Sequence, residues 1–374
     1  MNSKERVKAA MDLRTPDRIP LMCQMSIGHM LQQLPVSPVE FWFDGDTFAE
    51  GLLSLREIYG FDGILISLHG HDPNWRNQIV ERGNSEDGEV VRLKDGTTMI
   101  FGNDDLPQVV MQEAPKPGLA EMNLDDLPKT LDYIPVSQGL RFRIDPRNKF
   151  GVIDTIVKGA GKEYSIHGEI TSPFDYFLDL LGHQDGLMAL IDDREKSKRI
   201  LAHFAGLIEE LAVEMCDTGV DAIKVSSPFA GSGFISPTFY REFVAPFEAQ
   251  ISHSIRKKGV HVYLHTCGAV RDRLELMFDT GASGIECLDP PPLGNVELEE
   301  AMKIASKKGF IKGNVDSVNT LLLGTDGDIT SDAKSRIEIG KKVGGFILST
   351  ACSIAPRVKR EKILLLKEAV ERWG

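Results

Sequence analysis

Short apolar runs recur along the chain at 19–24, 63–68, 164–169, 222–226, 260–264, 284–287, 309–313 and 345–349. Each has the length of a strand, and most are apolar without alternation, as expected of strands covered on both faces. From the third run onward, segments with helical spacing separate most of them. Ile200, Phe204, Leu207, Ile208, Leu211 and Met215 recur at intervals of three and four, and Gly219 suits the C-terminal cap. Val270, Leu274, Met277 and Phe278 repeat the pattern up to Gly281. Strands alternating with helices in this way predict an α/β fold, a (β/α)8 TIM barrel forming one domain over 1–374 with an N-terminal extension. Residues 79–113 break the rhythm. Asp87-Gly88 and Asp95-Gly96 are hairpin-turn signals between alternating segments, which predicts a β-hairpin insertion after the second strand. A connector rich in proline and aspartate follows from 115 to 135.

Composition narrows the classes of function. The formal net charge is −12, and no basic run exceeds Arg256-Lys257-Lys258. Such a surface repels nucleic acid and anionic membranes, so neither is expected as a partner. Five widely spaced cysteines (Cys23, Cys216, Cys267, Cys287 and Cys352) do not form a disulfide framework in a chain of this length. The segment from Met1 to Lys8 is polar, without the apolar centre of a signal peptide, and no apolar run reaches 18 residues. A soluble, cytoplasmic protein is expected.

The chemistry concentrates where apolar runs stop. His265-Thr266-Cys267-Gly268 closes the fifth run, and residues two apart on a strand share a face, so His265 and Cys267 can reach one ion together. Cys352 follows the eighth run, and Glu286 lies in the sixth. A histidine, two thiolates and a displaceable carboxylate from different strand ends would make an open zinc site, unlike the closely paired ligands of structural zinc. The same residues also read as small buried thiols and a satisfied core histidine, and spacing alone leaves both readings standing. Other polar residues sit at strand ends: His69 and His71 after the second, Glu169 ending the third, Asp289 after the sixth, Asn314 and Asp316 after the seventh. Glu169 and Asp289 are the candidates for acid–base work, and His69, His71, Asn314 and Asp316 for substrate contacts. Cys23 is read as an inert buried thiol, and Gly231-Ser232-Gly233 as a flexible loop rather than a phosphate cradle.

Three segments together carry a family resemblance: His265-Thr266-Cys267-Gly268, Gly313-Asn314-Val315-Asp316-Ser317-Val318-Asn319-Thr320-Leu321 and Ser349-Thr350-Ala351-Cys352. The chain resembles the uroporphyrinogen decarboxylase superfamily, in particular its zinc-dependent, corrinoid-linked methyltransferase branch. The likeness is strongest from Ala222 to the C-terminus, with a weaker match from Glu5 to Pro20. It implies zinc on His265, Cys267 and Cys352. Glu286 looks like the counterpart of a glutamate in cobalamin-independent methionine synthase, which implies a fourth ligand. The resemblance also implies a small methyl donor or acceptor and a corrinoid (cobalamin) carried by a partner protein, because no Asp-x-His-x-x-Gly segment is present. The decarboxylase itself is the competing expectation. Its arginines after the first strand have no match in Met22-Cys23-Gln24-Met25-Ser26-Ile27-Gly28-His29. A non-enzymatic zinc-binding barrel is the remaining alternative.

Overall fold

The structure, a computed structural model, describes residues 1–110, 118–137 and 139–374. Thirteen strands occur among the described residues. In chain order they are β1 Gly63–Ile66, β2 Ile79–Ser85, β3 Gly88–Leu93, β4 Thr98–Phe101, β5 Gln108–Val110, β6 Tyr133–Ser137, β7 Leu140–Arg143, β8 Ser165–Thr171, β9 Ala222–Ser226, β10 His261–Thr266, β11 Gly284–Cys287, β12 Phe310–Val315 and β13 Phe346–Thr350. Seven of them form one parallel sheet in the order β1-β8-β9-β10-β11-β12-β13. Helices connect most of its neighbours, including Arg194–Cys216 before β9, Ala245–Lys257 before β10 and Asp326–Val343 before β13. That is a parallel α/β fold of TIM-barrel type, and its strands are buried almost throughout.

The expected first strand, 19–24, is extended chain rather than a ladder strand. Leu21 makes an isolated parallel bridge to Leu348, and Met22 N–H donates to the Leu348 carbonyl. On its other side the Leu21 carbonyl accepts Asp62 N–H at 2.8 Å, while Leu21 N–H donates to the Asp62 carboxylate at 2.8 Å in place of a second backbone bond. Pro20 has no N–H to offer a ladder. Asp62 is fully buried and also holds Arg6 at 2.7 Å and Arg18 at 2.9 Å, which anchors the helix Ser3–Met11. Val7, Ala10 and Met11 of that helix pack against Met22, Ala222, Tyr263, Phe310 and Ile347 at the N-terminal ends of the strands. The N-terminal extension thus plugs the lower end of the sheet and leaves the C-terminal ends for chemistry.

The helix predicted from 200 to 215 runs Arg194–Cys216, and Gly219 lies just beyond its cap with φ of 93°. The helix predicted from Val270 begins only at Leu274. Asn295 explains the delay, since its Oδ1 accepts from both Val270 N–H and Arg271 N–H and holds that turn as a loop. The insertion is larger than one hairpin. Strands β2, β3, β4 and β5 make a four-stranded antiparallel sheet, with Gly88 and Gly96 at positive φ in its turns. Residues 111–113 of the predicted insertion lie outside the described residues. A second hairpin, β6–β7, begins at Tyr133, within the stretch read as connector; residues 115–117 of that stretch are also outside the description.

Candidate metal centre

Strand register builds the site. In the parallel ladder Glu169 stands opposite Lys224, and His265 opposite Glu286, which in turn stands opposite Lys312. Lys224 is in register with Tyr263, two residues before His265, so the two rows lie on the same face of the sheet and present these five side chains together. Lys224 Nζ lies 3.2 Å from Glu169 Oε1 and 3.2 Å from Glu286 Oε2, and it donates to Gln24 Oε1 at 2.6 Å. Lys312 donates to Glu286 Oε1 and to Ser349 Oγ. Two lysines and two glutamates therefore form a charge-balanced group, with both lysines and Glu286 inaccessible to water. The lysines hold Glu286 well below the usual carboxylate range, overcoming the opposing effect of its burial. Lys224 shifts the other way: burial lowers it, but Glu169 and Glu286 hold it above its ordinary value.

On this base stand three donors of the kinds that can hold a metal ion. His265, Cys267 and Cys352 bring their ligand atoms within 4.8 Å of one another. His265 Nε2 lies 3.3 Å from Cys267 Sγ, and the two sulfurs are 3.9 Å apart. Tetrahedral zinc with its usual bond lengths needs about 3.6 Å between N and S and about 3.8 Å between two sulfurs. The donor set fits the ion in kind and in spacing. Hydrogen bonding from Cys287, and then from Cys352, draws the Cys267 thiol below its ordinary value, the direction of the thiolate that a metal requires. Cys352 is pushed upward because Cys267 takes the shared negative charge.

Glu286 does not stand with these donors. Its Oε2 accepts from His265 Nδ1 at 2.9 Å, while both lysines occupy the same carboxylate. A carboxylate on Nδ1 fixes the imidazole tautomer and turns a lone pair on Nε2 toward the sulfurs. Burial lowers the His265 pKa, yet Cys352 and Glu286 together leave it raised.

A cavity of about 320 Å³ opens beside the donors, lined by His265, Cys267 and Cys352 together with Glu169. Of the other expected site residues, Asp289 is buried beneath the motif: its Oδ2 accepts Gly268 N–H at 2.6 Å and lies 3.4 Å from Cys287 Sγ. Cys287 and Leu288 have φ of 86° and 54°, a sharp bend that returns the chain toward Cys267. Asp289, Cys287 and Cys267 make a second close group of donors. His69, His71, Asn314 and Asp316 do not line the cavity. His69 Nδ1 donates to the Lys149 carbonyl, and His71 packs between Phe48 and Phe142. Asn314 donates to the Leu288 carbonyl and takes a bond from Arg336, whereas Asp316 caps the turn at Val318 and Asn319. Cys23 is a buried thiol raised to about 11 by desolvation.

Lys224 and Lys312 escaped the sequence reading. The signal was present, because each is the one charged residue in an apolar strand (Ala-Ile-Lys-Val-Ser and Phe-Ile-Lys-Gly-Asn-Val). Asp175 was also missed. It lines the cavity from the helix Pro173–Leu181, bonded by Ser172 Oγ at 2.5 Å, and burial together with nearby Glu248 raises it to about 7.

Known proteins place this geometry in a family. The chain is 26% identical over 219 residues to methylcobamide:CoM methyltransferase MtbA of Methanosarcina acetivorans, an alignment covering 57% of this chain and 60% of that protein. It is 26% identical over 247 residues to the enzyme MtaA of Methanosarcina barkeri, covering 66% and 69%. A uroporphyrinogen decarboxylase of Prochlorococcus marinus matches at 27% over 175 residues, 46% of each chain. Among solved structures, a methyltransferase from Methanosarcina mazei superposes with a TM-score of 0.74 at 20% identity, covering 99% of this chain and 98% of that one. A B12-independent methionine synthase from Shewanella sp. W3-18-1 gives 0.52 at 14%, covering 95% and 97%. These superpositions speak for the fold. The family model for uroporphyrinogen decarboxylase (URO-D) matches residues 147–373, a span that holds Glu169, Lys224, His265, Cys267, Glu286, Lys312 and Cys352, and the chain belongs to that family.

Proposed function

We propose that this protein is a zinc-dependent methyltransferase that moves a methyl group between a small methylated compound and a corrinoid carried by a partner protein. The reading includes one barrel domain, closed by the extended segment around Leu21 between β13 and β1, working in the cytoplasm. The observation that carries it is the His265–Cys267–Cys352 donor set, whose spacings match tetrahedral zinc and which faces a cavity. The names of the relatives, methylcobamide:CoM methyltransferases, support the reaction class. Among the described residues no helix is long and apolar enough to cross a membrane.

Zinc bound there would supply Lewis acidity, lowering the pKa of a thiol or polarising the heteroatom that carries the methyl group. The remaining work falls to the chain. Glu286 positions His265, and Lys224 and Lys312 keep Glu286 anionic in a site closed to water. Joining the ligand shell as a fourth donor would require Glu286 to leave these partners. Asp289 holds the Gly268 turn that follows Cys267. Glu169 lines the cavity with its Oε2 buried and without a hydrogen-bond partner, which supports giving it the proton of the substrate. A decarboxylase acting on a polycarboxylate needs cations in its pocket, and the described lining contains neither lysine nor arginine.

The test is metal content beside methyl transfer. Purified wild-type protein should carry about one zinc per chain and move a methyl group between methylcobalamin and a small acceptor. A carefully handled preparation without zinc would remove the proposal.

A further inference from the structure

Building on the methyl-transfer reading, we propose that the cavity recognises its small methyl compound through a positively charged nitrogen, held by the carboxylates that face the metal-binding donors. Four acidic side chains, Asp105, Glu169, Asp175 and Asp179, line the cavity, and the described lining includes two histidines, His183 and His265, but neither lysine nor arginine. The nearest lysine, Lys224, lies behind Glu169 and is completely buried, with its ammonium spent on Gln24, Glu169 and Glu286. It therefore balances the glutamates without presenting charge to the cavity.

Glu169 supplies the specific contact. Its Oε1 faces Lys224, whereas its Oε2 is shut from solvent without a donor. A buried carboxylate oxygen without a donor is costly, and the positive charge of an incoming alkylammonium offsets that cost. Asp175 and Asp179 are four residues apart on the helix Pro173–Leu181 and so present their carboxyls on one face. Asp179 Oδ2 accepts from Tyr133 Oη and Arg141 Nε at 2.9 Å each, and Arg141 is half-exposed at the outer side. Phe229 adds an aromatic ring to the wall, a surface that suits a methylated cation. At a separation of about 6 Å and an effective dielectric of about 20, one carboxylate shifts affinity on the order of a hundredfold between zero and one charge, and solvent together with the carboxylates' own partners leaves about tenfold of that.

The zinc-loaded full-length chain is titrated calorimetrically with three two-carbon thiols that differ in their far group. These are (2-mercaptoethyl)trimethylammonium, whose nitrogen cannot coordinate zinc, 2-mercaptoethanol and 2-mercaptoethanesulfonate. The cation should bind at least tenfold more tightly than the sulfonate, with the alcohol between them. Glu169→Gln should narrow the gap between cation and sulfonate to within about threefold. Equal or tighter binding of the sulfonate overturns the inference. If none of the thiols binds, saturation-transfer NMR with methylammonium and methanesulfonate separates the two ideas. Contact with methylammonium alone keeps the cation preference and removes the zinc–thiol reading, whereas contact with methanesulfonate, or with neither ion, overturns the preference.

Discussion

Replacing Glu286 with glutamine takes one negative charge out of a group that water does not reach. In the wild-type protein Lys224 and Lys312 are balanced by Glu169 and Glu286, and the two lysines and Glu286 are at most 1% exposed. The variant leaves one ammonium uncompensated, a change that costs about 3–5 kcal/mol in a buried pair. Urea unfolding followed by far-UV circular dichroism at pH 7.5 reads this loss. The pH dependence has a defined sign. Glu286 is held well below its ordinary pKa, so its contribution is present above the usual glutamate value and is lost as pH falls through the lower folded value. The variant should therefore approach the wild type in acid. The second readout is zinc. A glutamine still accepts from His265 Nδ1 but no longer strengthens the imidazole as a carboxylate does, and loss of such support weakens metal binding about 10–100-fold, or roughly 1.4–2.7 kcal/mol. Chelator competition measures it, and the cobalt(II)-substituted variant should keep a four-coordinate spectrum. Stability within 1 kcal/mol of wild type, with zinc affinity within about threefold, would refute the reasoning.

Further expectations follow from other parts of the site. Cys352→Ser should lose zinc and methyl transfer while keeping its far-UV spectrum, because the sulfur lies at a half-buried strand end and not in the packed core; retained zinc with full activity would contradict the assignment. Asp175→Asn tests a raised pKa. A carboxyl that titrates near 7 when folded and 3.8 when free loses stability as pH rises between those values, by at most about 4 kcal/mol. The variant should show a shallower decline over that window in urea unfolding, and a residual slope should persist because Glu248 is raised to about 7 as well. An unchanged slope would show that Asp175 is not protonated there. Gly28→Ala would place a Cβ 2.1 Å from the Asp104 carbonyl oxygen, so the loop that carries Asp105 to the cavity must move. A loss of about 1–3 kcal/mol, with weaker ligand binding, is expected by unfolding and calorimetry; no loss would mean that this loop yields freely.

What the sequence determined by itself were the local matters. Continuous apolar runs mark seven of the strands because both faces of a parallel sheet are covered, and Asp-Gly pairs mark the insertion because its turns need positive φ. The His-x-Cys motif was legible too, since two residues that share a strand face need no knowledge of the rest of the chain. Tertiary structure decided whatever depends on which strands are neighbours. Cys352 reaches Cys267 across 85 positions only because β13 and β10 belong to one sheet. The role of Glu286 depends on register, which sets it between His265 and Lys312 and not beside the sulfurs alone. Lys224 and Lys312 look like interruptions of apolar strands until the neighbouring strands bring carboxylates to them. His69, His71, Asn314 and Asp316 look like site residues until packing turns them to backbone and aromatic partners. The extended segment at 19–24 is the same lesson for the backbone, because its apolar pattern is that of a strand, while the missing Pro20 N–H and the Asp62 carboxylate on Leu21 N–H leave only an isolated bridge to Leu348. Periodicity reports which side of an element is buried; it does not report what lies opposite, and a catalytic site is made of opposites.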